Sequence, residues 1–335
     1  MVSREGVGPR TREEHGMRAS SLRARPGSVD DAQPLLDRAE QADRNSPVSD
    51  QALLSAVQEQ RELRVFTRVG DAEPLAVGIV GQGELDLVVD PPVRGNGVGT
   101  EALRILLDSP AAREPAPGGS TGPLAWAHGE NPAATALLRG AGFEPVRSLY
   151  RMALDPARLP AGEIDPFAVE LPSGFELRTF DATPNATGDA HPADAHAWVH
   201  VNSRAFASHP EQGRVSLEDF ALMRAEPWFD PEDLFLVATA DTNHTAGFTW
   251  VKTLRGEDGL VETELYVIGV DPDFAGTGLG KALLKVTLAR MAHHTPKRIT
   301  LYVDGDNTRA VGMYEGAGFT IDSRSTQWRG PQVSE

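Results

Sequence analysis

Val267-Ile268-Gly269-Val270-Asp271-Pro272-Asp273-Phe274-Ala275-Gly276-Thr277-Gly278-Leu279-Gly280 is the stretch that decides the fold. A β-branched apolar run stops at Asp-Pro, and alternate glycines then open an apolar-periodic segment, which predicts a strand, a tight loop and a helix. The same order stands earlier as Leu87-Val88-Val89-Asp90-Pro91 followed by Arg94-Gly95-Asn96-Gly97-Val98-Gly99. Glycines admit close backbone approach, and the first N–H groups of a helix have no partner within it, so such a loop suits an anion and above all a pyrophosphate. The spacing fits neither the phosphate loop ending in Gly-Lys-Ser/Thr nor the three-glycine dinucleotide fingerprint.

A second pair of segments makes this a duplication. Trp126-Ala127-His128-Gly129-Glu130-Asn131 leads to Gly140-Ala141-Gly142-Phe143, and Tyr302-Val303-Asp304-Gly305-Asp306-Asn307 leads to Gly316-Ala317-Gly318-Phe319. Asn to Phe spans 12 positions in both (143 − 131 and 319 − 307). The glycine loops are offset by 181 (275 − 94) and the Asn segments by 176 (307 − 131), which indicates a tandem domain rather than a short solenoid repeat.

A length of 335 residues gives each of two domains enough chain for a core. Thirty-two Lys and Arg against 48 Asp and Glu, a net charge of −16, argue against nucleic acid and anionic membranes as partners. With no cysteine there is no disulfide, thiol nucleophile or cysteine metal site, and no metal is expected. No apolar run reaches the ~18 residues of a membrane span, and the start lacks a secretory core, so a cytoplasmic protein and a monomer are expected.

Along the chain, residues 1–27 read as a mobile extension and 28–154 as a first domain, followed by a proline-rich linker over 155–174 and a second domain over 175–329. In the first, a helix runs from Asp30 to Asp50 with a break at Ser46-Pro47, then strands at 64–69, 75–80 and 84–89 and a helix from Gly97 to Leu107. The second repeats the order: a strand at 175–179, helices between His191 and Arg224, strands at 234–240, 247–253 and 261–270, and a helix over 278–293. A strand at 298–303, a helix at 308–316 and a final strand pair close it.

Strand, Arg/Gln-x-x-Gly-x-Gly/Ala, helix, strand, Asn-x-x-Ala-x-x-x-Tyr and Gly-Phe together resemble the GNAT-type N-acetyltransferase superfamily. That resemblance implies an α/β fold, a mixed sheet flanked by helices in two tandem copies, with acetyl-CoA as cosubstrate. More specifically the chain resembles the mycothiol synthase family of tandem GNAT proteins, over residues 28 to 329. The most telling stretches are Arg204-Ala205-Phe206-Ala207-Ser208-His209-Pro210-Glu211-Gln212-Gly213, Glu264 to Pro272, and Leu301 to Phe319.

The resemblance implies CoA contacts at Leu87, Val88, Val89, Arg94, Gly95, Asn96, Gly97, Val98 and Gly99 in the first domain. In the second it implies Ile268, Gly269, Val270, Ala275, Gly276, Thr277, Gly278, Leu279, Gly280, Lys281, Asn307, Thr308, Arg309, Ala310, Val311 and Gly312. Ala275 stands where the motif carries Arg or Gln, and a bulged strand before the loop is expected to align the thioester. Glu264 is the expected base for the acceptor amine and Tyr314 the acid for the leaving thiolate. Asp50, Glu211, Lys252, Glu264 and Tyr302 are implied acceptor contacts, the acceptor being the cysteinyl amine of cysteinyl-glucosaminyl-inositol, a small thiol precursor.

Alternation places Glu264, Tyr266 and Ile268 on one face of their strand. Aligned on the Asn segments, Tyr314 falls opposite Leu138 (314 − 176); aligned on the glycine loops, Glu264 falls opposite Gly83 (264 − 181). Catalysis is therefore expected in the second domain and not in the first. Two alternatives stay open: another acceptor (an aminoglycoside, a polyamine or a protein N-terminus), or a non-enzymatic acetyl-CoA-binding module.

Overall fold

The structure is a computed structural model, and it describes residues 22–68, 70, 73–115, 122–161, 165–183, 191–207, 209, 212–256 and 258–331. The first half runs β1 (Leu22–Pro26), α1 (Val29–Asp43), α2 (Asp50–Val57), β2 (Glu62–Arg68), β3 (Ala76–Gly81), β4 (Glu84–Val89), α3 (Val98–Leu107), β5 (Leu124–Ala127), α4 (Pro132–Gly140) and β6 (Glu144–Ala153). The second repeats that order as β7 (Phe175–Thr179), α5 (Ala193–Ala205), α6 (Leu217–Met223), β8 (Leu234–Thr239), β9 (Thr245–Arg255), β10 (Val261–Val270), α7 (Leu279–His293), β11 (Arg298–Asp304), α8 (Thr308–Gly316) and β12 (Thr320–Arg329).

Local chemistry sets the helix starts. Ser28 and Asp31 form a capping box on α1, and Ser216 and Asp219 form another on α6. The repeated asparagines do the same work singly: the Asn131 side chain accepts from Ala134 N at 3.0 Å, and Asn307 from Ala310 N at 3.1 Å. Their fixed distance to the Gly-Phe segment is thus the length of one capped helix and its turn.

Two expectations change here. Residues 22–26 belong to a strand, not to a mobile extension, because β1 pairs antiparallel with β2 from Leu22↔Arg68 to Pro26↔Arg64; residues 1–21 lie outside the described residues. The final strand pair is one long strand, β12, bent where its register against β6 shifts between Ile321 and Ser323.

The strands form one mixed sheet in the order β1-β2-β3-β4-β5-β12-β6-β11-β10-β9-β8-β7. The last strand of each half has changed places: β12 pairs with β5 of the first half, and β6 pairs with β11 of the second. The segment Asp155 to Gly174 therefore joins halves that already share a sheet. Helices cover both faces, with Val98, Ala102, Leu103 and Leu106 of α3 packed on Phe66 and Val80 in the first half. In the second, Trp198, Phe220, Phe248 and Trp250 are fully buried, and Trp198 stacks on Phe220 at 4.3 Å. Each such ring contributes about 1.5–3 kcal/mol by leaving water.

Candidate active site

β10 and β11 pair in parallel only from Glu262↔Arg298 to Leu265↔Leu301, while the other edge of β11 pairs with β6 from Thr300 to Asp304. Beyond Leu265 the two strands splay and open a slot beside β10. The ladder between β10 and β9 shifts register at the same point: Leu265 faces Val251 and Val267 faces Trp250, leaving Tyr266 as an extra residue. A bulge of this kind reverses the side-chain sequence. Tyr266 and Val267 accordingly pack with Trp250, while Ile268 and Val270 pack with Leu279 and Leu283 of α7. The expected single face for Glu264, Tyr266 and Ile268 is corrected: Ile268 points to the opposite side. Gly269 is required in this packing, since a Cβ there would lie 2.7 Å from the Phe248 ring.

Glu264 sits directly across the β9–β10 ladder from Lys252. From the first half, Asp50 at the start of α2 accepts from Lys252 Nζ at 2.5 Å, so the structure brings Asp50, Lys252 and Glu264 together across the junction. Tyr302 on β11 faces Arg151 of β6, and it is 39 % exposed. Glu211 lies outside the described residues. The segment around it is held by Asn202, which donates to Gln212 O at 2.6 Å, and by Arg147, 2.8 Å from His209 Nε2. Burial, then the Arg147 charge, pushes His209 down to about 4 and leaves it uncharged.

Burial raises Glu264 to about 7; Lys252 opposes the shift and Asp50 reinforces it. Lys252 is raised too, for a different reason: burial alone would lower it, but Asp50 and then Glu264 hold its ammonium above the ordinary lysine value. Burial, then the Glu264 charge, raises Tyr302 to about 12.

After β10, Ala275, Gly276, Thr277 and Gly278 form an exposed loop, with φ of +83° at Gly276 and +91° at Gly278, the residue that starts α7 without a side-chain cap. These φ values are strained for any residue with a Cβ. Leu279 is buried under the loop, Lys281 is exposed beside it, and a Cβ at Gly280 would meet Val270 and Met313 only at 3.9 and 4.0 Å. An uncapped helix start with outward N–H groups fits a pyrophosphate. On α8, Asn307 is the cap, Thr308, Arg309 and Gly312 are exposed, and Ala310 and Val311 pack inward. Tyr314 is 5 % exposed, packed edge-on to Phe319 at 6.0 Å, and burial raises its phenol, so it keeps its proton at neutral pH.

The first half has the same parts in a closed form. Gly95 and Gly97 have φ of +77° and +81°, and Gly97 starts α3. Asn96 donates weakly to Val93 O and Arg94 O within the loop, and Val98 is buried beneath it. Arg94, expected at the ligand, instead donates to both Asp43 oxygens at 2.6 and 2.9 Å and to Val89 O at 3.0 Å. Leu87 and Val89 pack against the α3 core, Val88 enters the opposite core, and a Cβ on Gly99 would meet Leu137 at 3.3 Å. The ladder between β3 and β4 is regular from Ala76↔Val89 to Gly81↔Glu84, so β4 has no counterpart of the bulge at Tyr266.

That regular ladder corrects the alignment of the acid. Glu264 pairs with Thr300, and Glu84 pairs with Leu124, which is Thr300 shifted by the same 176 (300 − 124) as the Asn segments. Glu84, not Gly83, is therefore the counterpart of Glu264; the extra residue in the bulge produced the apparent mismatch. Glu84 lies 3.3 Å from Arg61 Nη1, and the same guanidinium donates to Asp86 at 2.7 Å. A polar cleft of about 400 Å³ opens nearby, lined by residues including Asp43, His128, Asn131, Arg151 and Asp322.

Sequence reasoning missed Trp228, in the turn after α6. Its ring lies 5.1 Å from Lys252 Nζ and 5.1 Å from the Tyr266 ring. The signal was present only as an isolated Pro227-Trp228-Phe229 between polar residues. Among the described residues no cluster of three or more His, Asp or Glu is arranged to hold a metal ion, and no helix is long and apolar enough to cross a membrane.

The profile of the acetyltransferase (GNAT) family matches residues 196–319. A mycothiol acetyltransferase of Thermobispora bispora is 38 % identical over 307 residues, covering 89 % of this chain and 95 % of the relative. Those of Clavibacter sepedonicus and Frankia alni are 36 % and 38 % identical, covering 93 % and 90 % of this chain and 95 % and 92 % of the relatives. Among solved structures, a tandem GNAT protein from the clavulanic acid biosynthesis pathway superposes with a TM-score of 0.64 at 17 % identity, covering 94 % of this chain and all of that one. A GCN5-related N-acetyltransferase from Sphaerobacter thermophilus gives 0.60 at 22 % identity, covering 94 % and 98 %. These two likenesses speak for the fold.

Proposed function

We propose, since this chain belongs to the mycothiol acetyltransferase family, that it transfers acetyl from acetyl-CoA to the cysteinyl amine of cysteinyl-glucosaminyl-inositol, the last step of mycothiol formation. The observation that carries the chemistry is Glu264: a carboxylate raised to about 7, opposite Lys252 on a bulged strand that leads to a glycine loop. A base with a pKa near working pH combines availability with proton affinity.

Acetyl-CoA would supply the activated acyl group. The glycine loop from Ala275 to Gly280, with Lys281 at its rim, would hold the pyrophosphate, and the free edge of β10 from Ile268 to Val270 would align the arm. A backbone N–H near Val270 would polarise the carbonyl. Asp50, Lys252 and Tyr302, with Glu211, would orient the acceptor so that its amine faces the thioester; holding both reactants supplies much of the rate. Glu264 takes the amine proton, directly or through water, and the Tyr314 hydroxyl gives its proton to the departing sulfur. The chain has no cysteine to carry an acyl group, so transfer is direct. The first half is read as noncatalytic, and the enzyme as a cytoplasmic monomer.

The test is acetylation of the precursor by purified protein beside a panel of aminoglycosides, polyamines and peptide N-termini. Turnover of the precursor with a kcat/KM at least tenfold above the panel is expected. No turnover of the precursor overturns the assignment.

A further inference from the structure

Lys252 poses a problem that the reaction does not solve by itself. It stands directly opposite Glu264 across β9 and β10, where an ammonium would ordinarily close on the carboxylate. Its short ion pair among the described residues is instead with Asp50. Two aromatic faces account for the rest of its position: Nζ lies 5.1 Å from the Trp228 ring centroid and 5.4 Å from that of Tyr266. Trp228 is wedged by Tyr266 at 5.1 Å and Trp250 at 5.3 Å, so its ring cannot easily swing aside. Attraction of an ammonium to an indole face is worth about 0.5–2 kcal/mol, more when the pair is shielded from water.

The first half surrounds the equivalent acid differently, with a guanidinium shared between Glu84 and Asp86. Glu84, the counterpart of Glu264, is paired with Arg61, whose side chain is only 3 % exposed.

We propose that Trp228 is a positioning residue for catalysis: its ring, with Tyr266 and the Asp50 carboxylate, holds the Lys252 ammonium off Glu264 and leaves that carboxylate able to take the acceptor's proton. The proposal rests on Glu264 being the base. The charged and titratable groups around Glu264 are Lys252 on β9, Asp50 on α2, Glu40 on α1, and Glu226 beside Trp228. Tyr302 on β11, Arg151 on β6, and Tyr266 and Glu262 on β10 itself complete the set. Lys252 and Arg151 are the cations among these, and Arg151 is bound to Asp322 at 2.8 Å.

The test is kcat against pH for wild type, Trp228→Leu, Trp228→Phe and Lys252→Met, with both substrates saturating. Trp228→Leu keeps the apolar bulk but removes the π face, so its acidic limb should move down by about one pH unit, the effect of bringing an opposite charge within ~4–6 Å. Trp228→Phe should keep the wild-type limb. In Lys252→Met, adding Trp228→Leu should move nothing. A wild-type limb in Trp228→Leu, or a shift that persists without Lys252, overturns the proposal. If wild type does not turn over the precursor, the functional reading fails by itself; the carboxyl carbon shift of Glu264 in 13C-glutamate-labelled protein then decides the positioning question. Circular dichroism of each variant separates these results from misfolding.

Discussion

Replacing Glu264 with Gln should make the protein more stable at alkaline pH while removing most of its activity. In the fold the carboxyl titrates at about 7, against 4.5 for the ordinary group. The folded state therefore holds a proton that the unfolded chain has released, and stability falls as pH rises from the unfolded to the folded value. At ~1.36 kcal/mol per unit, an ionised Glu264 costs on the order of 3 kcal/mol above neutrality. A neutral amide of the same shape escapes that cost. Differential scanning fluorimetry or urea unfolding should give Glu264→Gln no advantage below about pH 4.5 and an advantage of ~2–3 kcal/mol at about pH 8. In parallel, kcat should fall ~10²–10⁴-fold, the range for loss of a positioned base. Wild-type kcat should rise about tenfold between pH 6 and 8, as the ionised fraction grows. A stability difference independent of pH would refute the desolvated carboxylate; near-wild-type turnover would refute its role.

Tyr314→Phe should lower kcat ~10–100-fold with little change in either KM, because the ring keeps its packing against Phe319 and loses only a proton; steady-state kinetics with both substrates check this. Asp50→Ala should raise the acceptor KM ~10-fold without altering that of acetyl-CoA, and should change stability by less than ~1 kcal/mol, since the Asp50 side chain is 56 % exposed. Gly278→Val forces a β-branched residue to a φ of +91° and should weaken acetyl-CoA binding at least tenfold, read by isothermal titration. The matching Gly97→Val should leave turnover largely intact, provided circular dichroism shows the fold retained.

Most of the fold is visible in local chemistry because it is locally encoded. The two glycine loops, the Asn caps and the alternating runs each state their own conformation, so strand and helix order could be read for both halves. What could not be read was long-range. The exchange of β6 and β12 depends on which edges meet, and neither strand carries a continuous buried run that would mark its place in the sheet. β1 was overlooked because Leu22-Arg23-Ala24-Arg25-Pro26 carries little apolar signal, and pairing with β2 holds it. The candidate site residues that follow a motif could be named from the sequence; Trp228 could not, since a lone aromatic in a turn has no period and gains its place only from the lysine it faces.

The bulge at Tyr266 explains why the two halves were hard to align and why they differ in chemistry. One inserted residue displaces the numbering of the strand, so an ungapped comparison sets Glu264 against Gly83 and makes the first half look devoid of an acid. With the bulge counted, both halves place a glutamate at the equivalent position of this strand. The difference lies in the neighbouring cation. Arg61 lies within ion-pair reach of both Glu84 and Asp86 from a nearly closed pocket, whereas Lys252 is drawn to Asp50 from the other half and leaves Glu264 high. Asp50 can make that contact because α2 reaches across the junction to the second cleft. The environment of Glu264 in the second half thus depends on a residue contributed by the first.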